Sequence, residues 1–288
     1  MKSIRERLID YLNAPHTVRD CYEALPDVLR HSIRARLNEN VNKCFRRITK
    51  GLYIAVRGET RTLLVEGDAW KNITLIEDNS IDAIITDSPY DAMAHHYKTG
   101  TTRFKETGKL PYETKDIDEA LLQDIFRVLK KGGHFFSFMP SDNKDTYDYN
   151  HNFVRMAQKI GFQFNKRFIW NKDVIGMGYN GRCKYEQILF LSKGKRIKPF
   201  NLSIPDLLTH KRIAPKKRIH HAEKPVELIM DLLRFSTQEN DVALDLFGGS
   251  WSLLRAGLEL NRHTISFEID KKMSRSGDRI DIMKGIIF

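Results

Sequence analysis

Apolar positions first recur at helical spacing along the chain, then as short runs cut by glycine and proline. Ile4, Leu8, Ile9 and Leu12 fall on one helical face, and Asn13-Ala14-Pro15 breaks that helix. Thr17 reads as the N-cap of a second helix, Val18 to Leu25, which Pro26 ends. A third, basic helix opens at His31-Ser32-Ile33-Arg34-Ala35-Arg36-Leu37 and runs toward Val41 or Lys43. Phe45-Arg46-Arg47-Ile48 and Gly51 to Val56 then alternate like two short strands, with Thr49-Lys50-Gly51 at the turn.

Beyond residue 58 the pattern changes to buried strands. Ile81-Asp82-Ala83-Ile84-Ile85-Thr86 reads as one, and Asp87-Ser88-Pro89-Tyr90 stands at its carboxyl end. Open α/β sheets bind ligands at that end of their strands. A carboxylate beside an aromatic ring suits chemistry on a flat, amine-bearing ring: Tyr90 stacks on its face and Asp87 accepts from its amine. The same four residues would also make an ordinary strand-to-loop turn. Downstream, Val242 to Phe247 predicts a second strand, Gly248-Gly249-Ser250 a turn, and Leu253 to Leu258 a helix. Strand, glycine turn and helix let a nucleotide-like ligand approach backbone N–H groups. His263 to Phe267 predicts another strand, ending at Glu268, where a ribose hydroxyl would find its partner.

Together these segments resemble the amino-methyltransferases of DNA, which use S-adenosylmethionine to methylate adenine N6 or cytosine N4. Asp87-Ser88-Pro89-Tyr90 resembles that family's Asp-Pro-Pro-Tyr, and Asp245 to Trp251 resembles its Asp-Pro-Phe-x-Gly-Ser-Gly, departing at Leu246 and Trp251. The catalytic motif precedes the cofactor motif, as in the permuted β group. Val65-Glu66-Gly67-Asp68, Leu129 to Phe136, Phe168 to Lys172, Tyr185 to Phe190 and His221 to Leu228 carry the likeness further. The resemblance implies a Rossmann-like methyltransferase fold over 59–288: an α/β domain with a twisted, mostly parallel sheet. One antiparallel hairpin is expected around Phe168 and Ile188, and the segment near Leu63 should join the sheet of the glycine-turn strand. It also implies that Glu268 binds the cofactor ribose, that Asp245, Phe247, Gly248, Gly249 and Ser250 shape the cofactor turn, that Asp68 touches its adenine end, and that Lys224 and Pro225 lie at its methionine end.

Residues 1–58 resemble a winged helix-turn-helix module. Arg30, Arg34 and Arg36 would then face a major groove, and Arg46, Arg47 and Lys50 would meet phosphates. A small helical cap or a homodimer interface is the other reading. A formal net charge of +11 favours a polyanionic partner. The basic tract at about 193–220, with Lys216, Lys217 and Arg218, is expected to face double-stranded DNA. Thr99 to Lys115 reads as a mobile loop. Cys21, Cys44 and Cys183 are widely spaced, form no disulfide framework, and fit a reducing cytoplasm. No apolar run is long enough for a membrane span. His95-His96 and His220-His221 lack metal-ligand spacing, so no metal is expected.

The expected reaction is methyl transfer to adenine N6 in DNA, with the base flipped out of the duplex. Asp87, where relatives carry Asp or Ser, favours adenine over cytosine N4. Cytosine C5 chemistry would need a cysteine after proline, and each of the three follows another residue. A catalytically degenerate DNA-binding protein and an RNA methyltransferase remain as alternatives. Trp251 is the departure that bears on them: a position requiring φ above zero would strain a tryptophan, whereas a helical one would let its ring pack. The target sequence and any restriction endonuclease partner are not readable from the chain.

Overall fold

The computed structural model describes residues 2–12, 16–39, 41, 45–49, 52–55, 62–89, 115–176, 181–218, 220, 222–270 and 283–284. Helix α1 (Ile4–Tyr11) opens with a capping box, in which Glu6 N–H donates to Ser3 Oγ at 3.2 Å and Ser3 N–H to Glu6 Oε2 at 2.7 Å. Thr17 caps α2 (Val18–Ala24) in the same way, through Asp20. Helix α3 (Arg30–Glu39) stops short of Val41 and Lys43. A two-residue strand β1 (His16–Thr17) carried no sequence signal. With β2 (Phe45–Thr49) and β3 (Leu52–Ala55) it forms an antiparallel sheet of order β1-β3-β2. Leu8, Leu12, Cys21, Leu25, Ile33, Leu37, Phe45 and Tyr53 close a core of their own.

The second sheet comprises β4 (Thr62–Glu66), β5 (Ile81–Thr86), β6 (Leu129–Met139), β7 (Phe162–Asn171), β8 (Tyr185–Lys193), β9 (Leu207–Thr209), β10 (Val242–Asp245), β11 (His263–Glu268) and β12 (Met283–Lys284). Its order is β12-β4-β11-β10-β5-β6-β8-β7-β9. Among the described residues every pairing is parallel except those of β8, which runs against both neighbours. Phe168 pairs directly with Ile188 in the expected hairpin, and Leu63 pairs with Ile265 next to the glycine-turn strand.

Among the described residues, five α-helices accompany this sheet: α4 (Ala69–Asn72), α5 (Glu119–Val128), α6 (Tyr147–Ile160), α7 (Val226–Ser236) and α8 (Ser252–Glu259). Strand alternation sorts the core into two layers. Ile84, Phe135, Leu189 and Leu244 face Leu121 and Ile125 of α5 and Phe153 of α6. Their neighbours Ile85, Phe136, Ile188 and Ala243 face Leu228 and Leu232 of α7 and Leu253 of α8. Apolar residues fill both faces, which is why these strands read as continuous apolar runs rather than alternating ones. No helix among the described residues is long and apolar enough to cross a membrane.

Candidate active site

Strands β5 and β10 lie side by side at the centre of the sheet, so their carboxyl ends open onto one cavity. Thr86 ties the two ends together. Its hydroxyl donates to Asp245 Oδ1 at 2.9 Å and accepts from Leu246 N–H at 3.2 Å. Asp245 Oδ1 also accepts from Phe247 N–H at 3.0 Å. Burial, with Asp87 and Glu268 adding negative charge nearby, pushes the Asp245 carboxyl up to about 7 against those hydrogen bonds.

Asp87 projects from the end of β5 into this cavity and forms an ion pair with Lys224. Lys224 precedes α7 and is held there by its carbonyl, which accepts from Ser252 Oγ at 2.7 Å. Its ammonium also lies 3.4 Å from Glu186 Oε2, and the other Glu186 oxygen is 3.3 Å from Lys172 Nζ. The rings of Phe138 and Trp170 flank Lys224 at 5.0 and 5.9 Å. Burial opposes charge on Lys224, but the two carboxylates overbalance it and hold the ammonium above the usual lysine range. Burial raises the Asp87 carboxyl, Lys224 draws it back, and Glu186 adds to the rise, leaving it above its ordinary value.

The other half of the cavity is built by the glycine turn. Gly249 has φ +48°, and its N–H donates to Glu268 Oε2 at 2.7 Å. Glu268 Oε1 accepts from Asp270 N–H at 2.8 Å, so the carboxylate is fixed at both oxygens. Desolvation raises its pKa. A side chain at Gly248 would meet the Trp251 ring at 2.5 Å and the Phe267 carbonyl at 3.2 Å. Asp68 caps α4 through Trp70 N–H at 2.9 Å, and Trp70 leans on Phe247 at 5.9 Å between centroids. Lys115 Nζ lies 4.0 Å from the Trp70 ring, while its N–H donates to the Pro89 carbonyl at 3.1 Å. Trp251 has φ 65° and ψ 29°, the left-handed region. Its ring is buried against Leu64 and Leu254 and does not line the cavity.

One cavity therefore gathers Asp68, Asp87, Ser88, Pro89, Lys224, Asp245, Phe247, Gly248, Gly249, Ser250 and Glu268. Ser88 is buried, and its hydroxyl has no hydrogen-bond partner among the described residues. Pro225 caps α7 beside them. Tyr90, Lys50 and the Arg46 side chain lie outside the described residues, as does most of the loop from Thr99 to Lys115. Arg30, Arg34 and Arg36 are exposed on α3, with Arg36 paired to Glu39. Arg47 pairs with Glu77 and so pins the hairpin to the segment before β5. Lys216 and Lys217 are exposed, whereas Arg218 Nε turns back to the Ile213 carbonyl at 2.8 Å. Sequence reading missed Thr86, Trp70, Lys172 and Glu186. Thr86 hid inside an apolar run. The usable signal for the last two was a lysine and a glutamate at the facing ends of the hairpin, beside its apolar runs Phe168-Ile169-Trp170 and Ile188 to Leu191.

Comparison with known proteins accords with this arrangement. Residues 81–278 match the family model for N6/N4 DNA methylases, described as DNA methylase. The type II methyltransferase M.HpaI of Haemophilus parainfluenzae is 27% identical over 242 residues, covering 76% of this chain and 74% of that protein. The crystal structure of the M1.HpyAVI–SAM complex superposes with a TM-score of 0.54 at 20% identity, covering 76% of this chain and 98% of that one. The cytosine-N4-specific PvuII DNA methyltransferase gives 0.59 at 16% identity, with coverages of 80% and 89%. At those identities the structural likeness is one of fold, while the family model spans more than two thirds of the sequence, and the chain belongs to the N6/N4 DNA methylase family.

Proposed function

We propose that this chain transfers a methyl group from S-adenosylmethionine to N6 of an adenine flipped out of double-stranded DNA. The observation that carries the reading is the joining of Asp87 and the glycine turn in one cavity, through Thr86 and Asp245. The residues fit the cofactor. Glu268, its carboxylate fixed by two backbone N–H groups, would bind the ribose hydroxyls. Asp68 would meet the adenine end, with Phe247 and Trp70 supplying an aromatic wall. Gly249 leaves the turn open to a close backbone approach, while Gly248 makes room for the Trp251 ring behind it, and Lys224 with Pro225 stands between the turn and Asp87. S-adenosylmethionine supplies a methyl group activated as a sulfonium.

The protein's own contribution is orientation. An exocyclic amine is a poor nucleophile because its lone pair is delocalised into the ring. Asp87 accepts a hydrogen bond from that amine, and a nearby backbone carbonyl accepts the second, which draws the nitrogen toward a tetrahedral shape. Holding the nitrogen in line with the methyl carbon supplies much of the rate. Tyr90 stacks on the flipped base. Asp in the first motif position favours adenine; cytosine N4 is the second reading, since the PvuII enzyme of the same fold carries that specificity. The packing of Trp251 away from the cavity counts against a degenerate fold.

The same reading extends to the whole chain. Residues 1–58 form a winged helix-turn-helix module and 59–288 a β-group methyltransferase domain. Arg30, Arg34, Arg36, Arg46 and Lys50 on the module, with Lys216, Lys217 and Arg218 beyond the hairpin, contact DNA. Incubation with labelled S-adenosylmethionine and unmethylated genomic DNA should put label in N6-methyladenine after nucleoside digestion. Asp87→Ala should abolish transfer and leave cofactor affinity by calorimetry within a few-fold. Label confined to N4-methylcytosine would reverse the base assignment. A titration with no cofactor heat would support the degenerate reading.

A further inference from the structure

Behind Lys224 on the cavity wall, the charge cluster includes a carboxylate for which the transfer described above has no use. Glu186 stands at the start of β8 and touches two lysines, Lys172 at 3.3 Å and Lys224 at 3.4 Å. Lys224 in turn pairs with Asp87. Charges alternate along this chain of four: Lys172, Glu186, Lys224, Asp87. The Lys224 side chain is 11% exposed and sits among aromatic rings. An ammonium in such a place cannot lose its anionic partners without a heavy desolvation cost.

The proposed reaction makes a competing demand on Asp87. The target amine is a neutral, weak donor, and it must take a carboxylate that an ammonium already holds. Lys224 has to loosen from Asp87 while staying compensated. Glu186 is the second acceptor within reach, and Lys172 keeps it ionised: burial raises the Glu186 carboxyl, and the two lysines overbalance that and bring it below its ordinary value.

We propose that Glu186 is a positioning residue for methyl transfer, the second seat of the Lys224 ammonium when the target amine takes Asp87. The assignment rests on the transfer reading given above. It gives Glu186 a role in turnover rather than in holding cofactor or DNA.

Glu186→Gln tests it, assayed with tritiated S-adenosylmethionine and unmethylated genomic DNA. The expected kcat falls about 10–100-fold, while KM for DNA and the calorimetric cofactor Kd stay within about threefold, the pattern of a lost transition-state interaction. The acid limb of the kcat profile should also move. Asp87 is faced by Lys224, Glu186 and Asp245, with Glu268, Lys115 and His220 lining the same cavity. Removing only the Glu186 charge lets Asp87 ionise at lower pH, so the limb moves down. Glu186→Asp keeps the charge at shorter reach, so its kcat should fall between the other two with the limb in place. A Gln variant with kcat within twofold of wild type, or with its loss confined to KM and Kd and the limb unmoved, would overturn the proposal. So would a Glu186→Asp enzyme with wild-type kcat, which decides the matter even if the Gln variant does not fold. A wild-type protein that binds cofactor and transfers no label would overturn the methyl-transfer reading and this assignment together; transfer by wild type with an indifferent Glu186 overturns the assignment alone.

Discussion

Trp251 combines two opposed energies at one residue. Its left-handed backbone is a conformation that costs a bulky residue about 1–3 kcal/mol. The residue is 3% exposed, and its ring packs against Leu64 and Leu254. Losing a buried tryptophan costs about 3–5 kcal/mol, so packing outweighs strain. Trp251→Ala forfeits the packing and keeps the strain, whereas Trp251→Gly forfeits the packing and relieves it. Urea unfolding should therefore rank wild type above Gly and Gly above Ala, with about 1 kcal/mol between the two variants. Equal stability of Gly and Ala would mean that the backbone carries no strain. The identity of the departure was legible in the sequence; its consequence was not, because φ and ring direction belong to tertiary packing. Asp87 and Glu268 were legible because each stands at a strand end, and Gly249 because it sits in the turn between a strand and a helix, where pattern and chemistry change together. Thr86 was not, because a hydroxyl inside an apolar run gives no sign of the partner it will meet.

At the level of elements, β6 carries an unexpected group into the core. His134 is fully buried, with Nε2 3.2 Å from the Ile197 carbonyl and the rings of Phe136, Phe190 and Phe235 around it. Burial lowers its pKa from 6.5 to about 4, against the Ile197 hydrogen bond. The unfolded chain then takes up a proton below pH 6.5 that the folded chain refuses until about pH 4. Stability associated with this residue is present above pH 6.5 and is lost as pH falls through that window. The loss between pH 7 and pH 5 is on the order of 2 kcal/mol. His134→Phe should flatten that part of the curve, as judged by urea midpoints at the two pH values. An unchanged slope would show that another group controls the acid limb. The β7–β8 hairpin was expected from the family resemblance that its segments carry, but β1 had no signal: two residues offer no periodicity, and their pairing is decided by β3.

Across the whole molecule, positive charge sorts into residues held within the chain and residues left to solvent. Arg47 pairs with Glu77 and Arg36 with Glu39, while Arg30 and Arg34 stay exposed on α3. If α3 grips duplex DNA, Arg30→Ala with Arg34→Ala should weaken binding and lower the salt slope by about 0.9 per lost phosphate contact. Methyl transfer at saturating DNA should persist. An unchanged slope would return the module to the role of a cap or dimer interface. The mostly parallel sheet was expected from the family resemblance that the motifs and their order carried, whereas partners such as Arg47–Glu77 were not legible, since charge counts do not say which residues meet. The Thr86–Asp245 contact spans 159 residues, and that separation bears on synthesis at the ribosome. While β10 is still untranslated, β5 lacks its neighbour on one side and presents a long apolar edge, a template for aggregation. A chain truncated after Ser236 should collect in the pellet, and one extended through Asp270 should regain solubility. For this enzyme, birth is complete only near its end: the half that would hold the base waits, unpaired, for the half that would hold the cofactor.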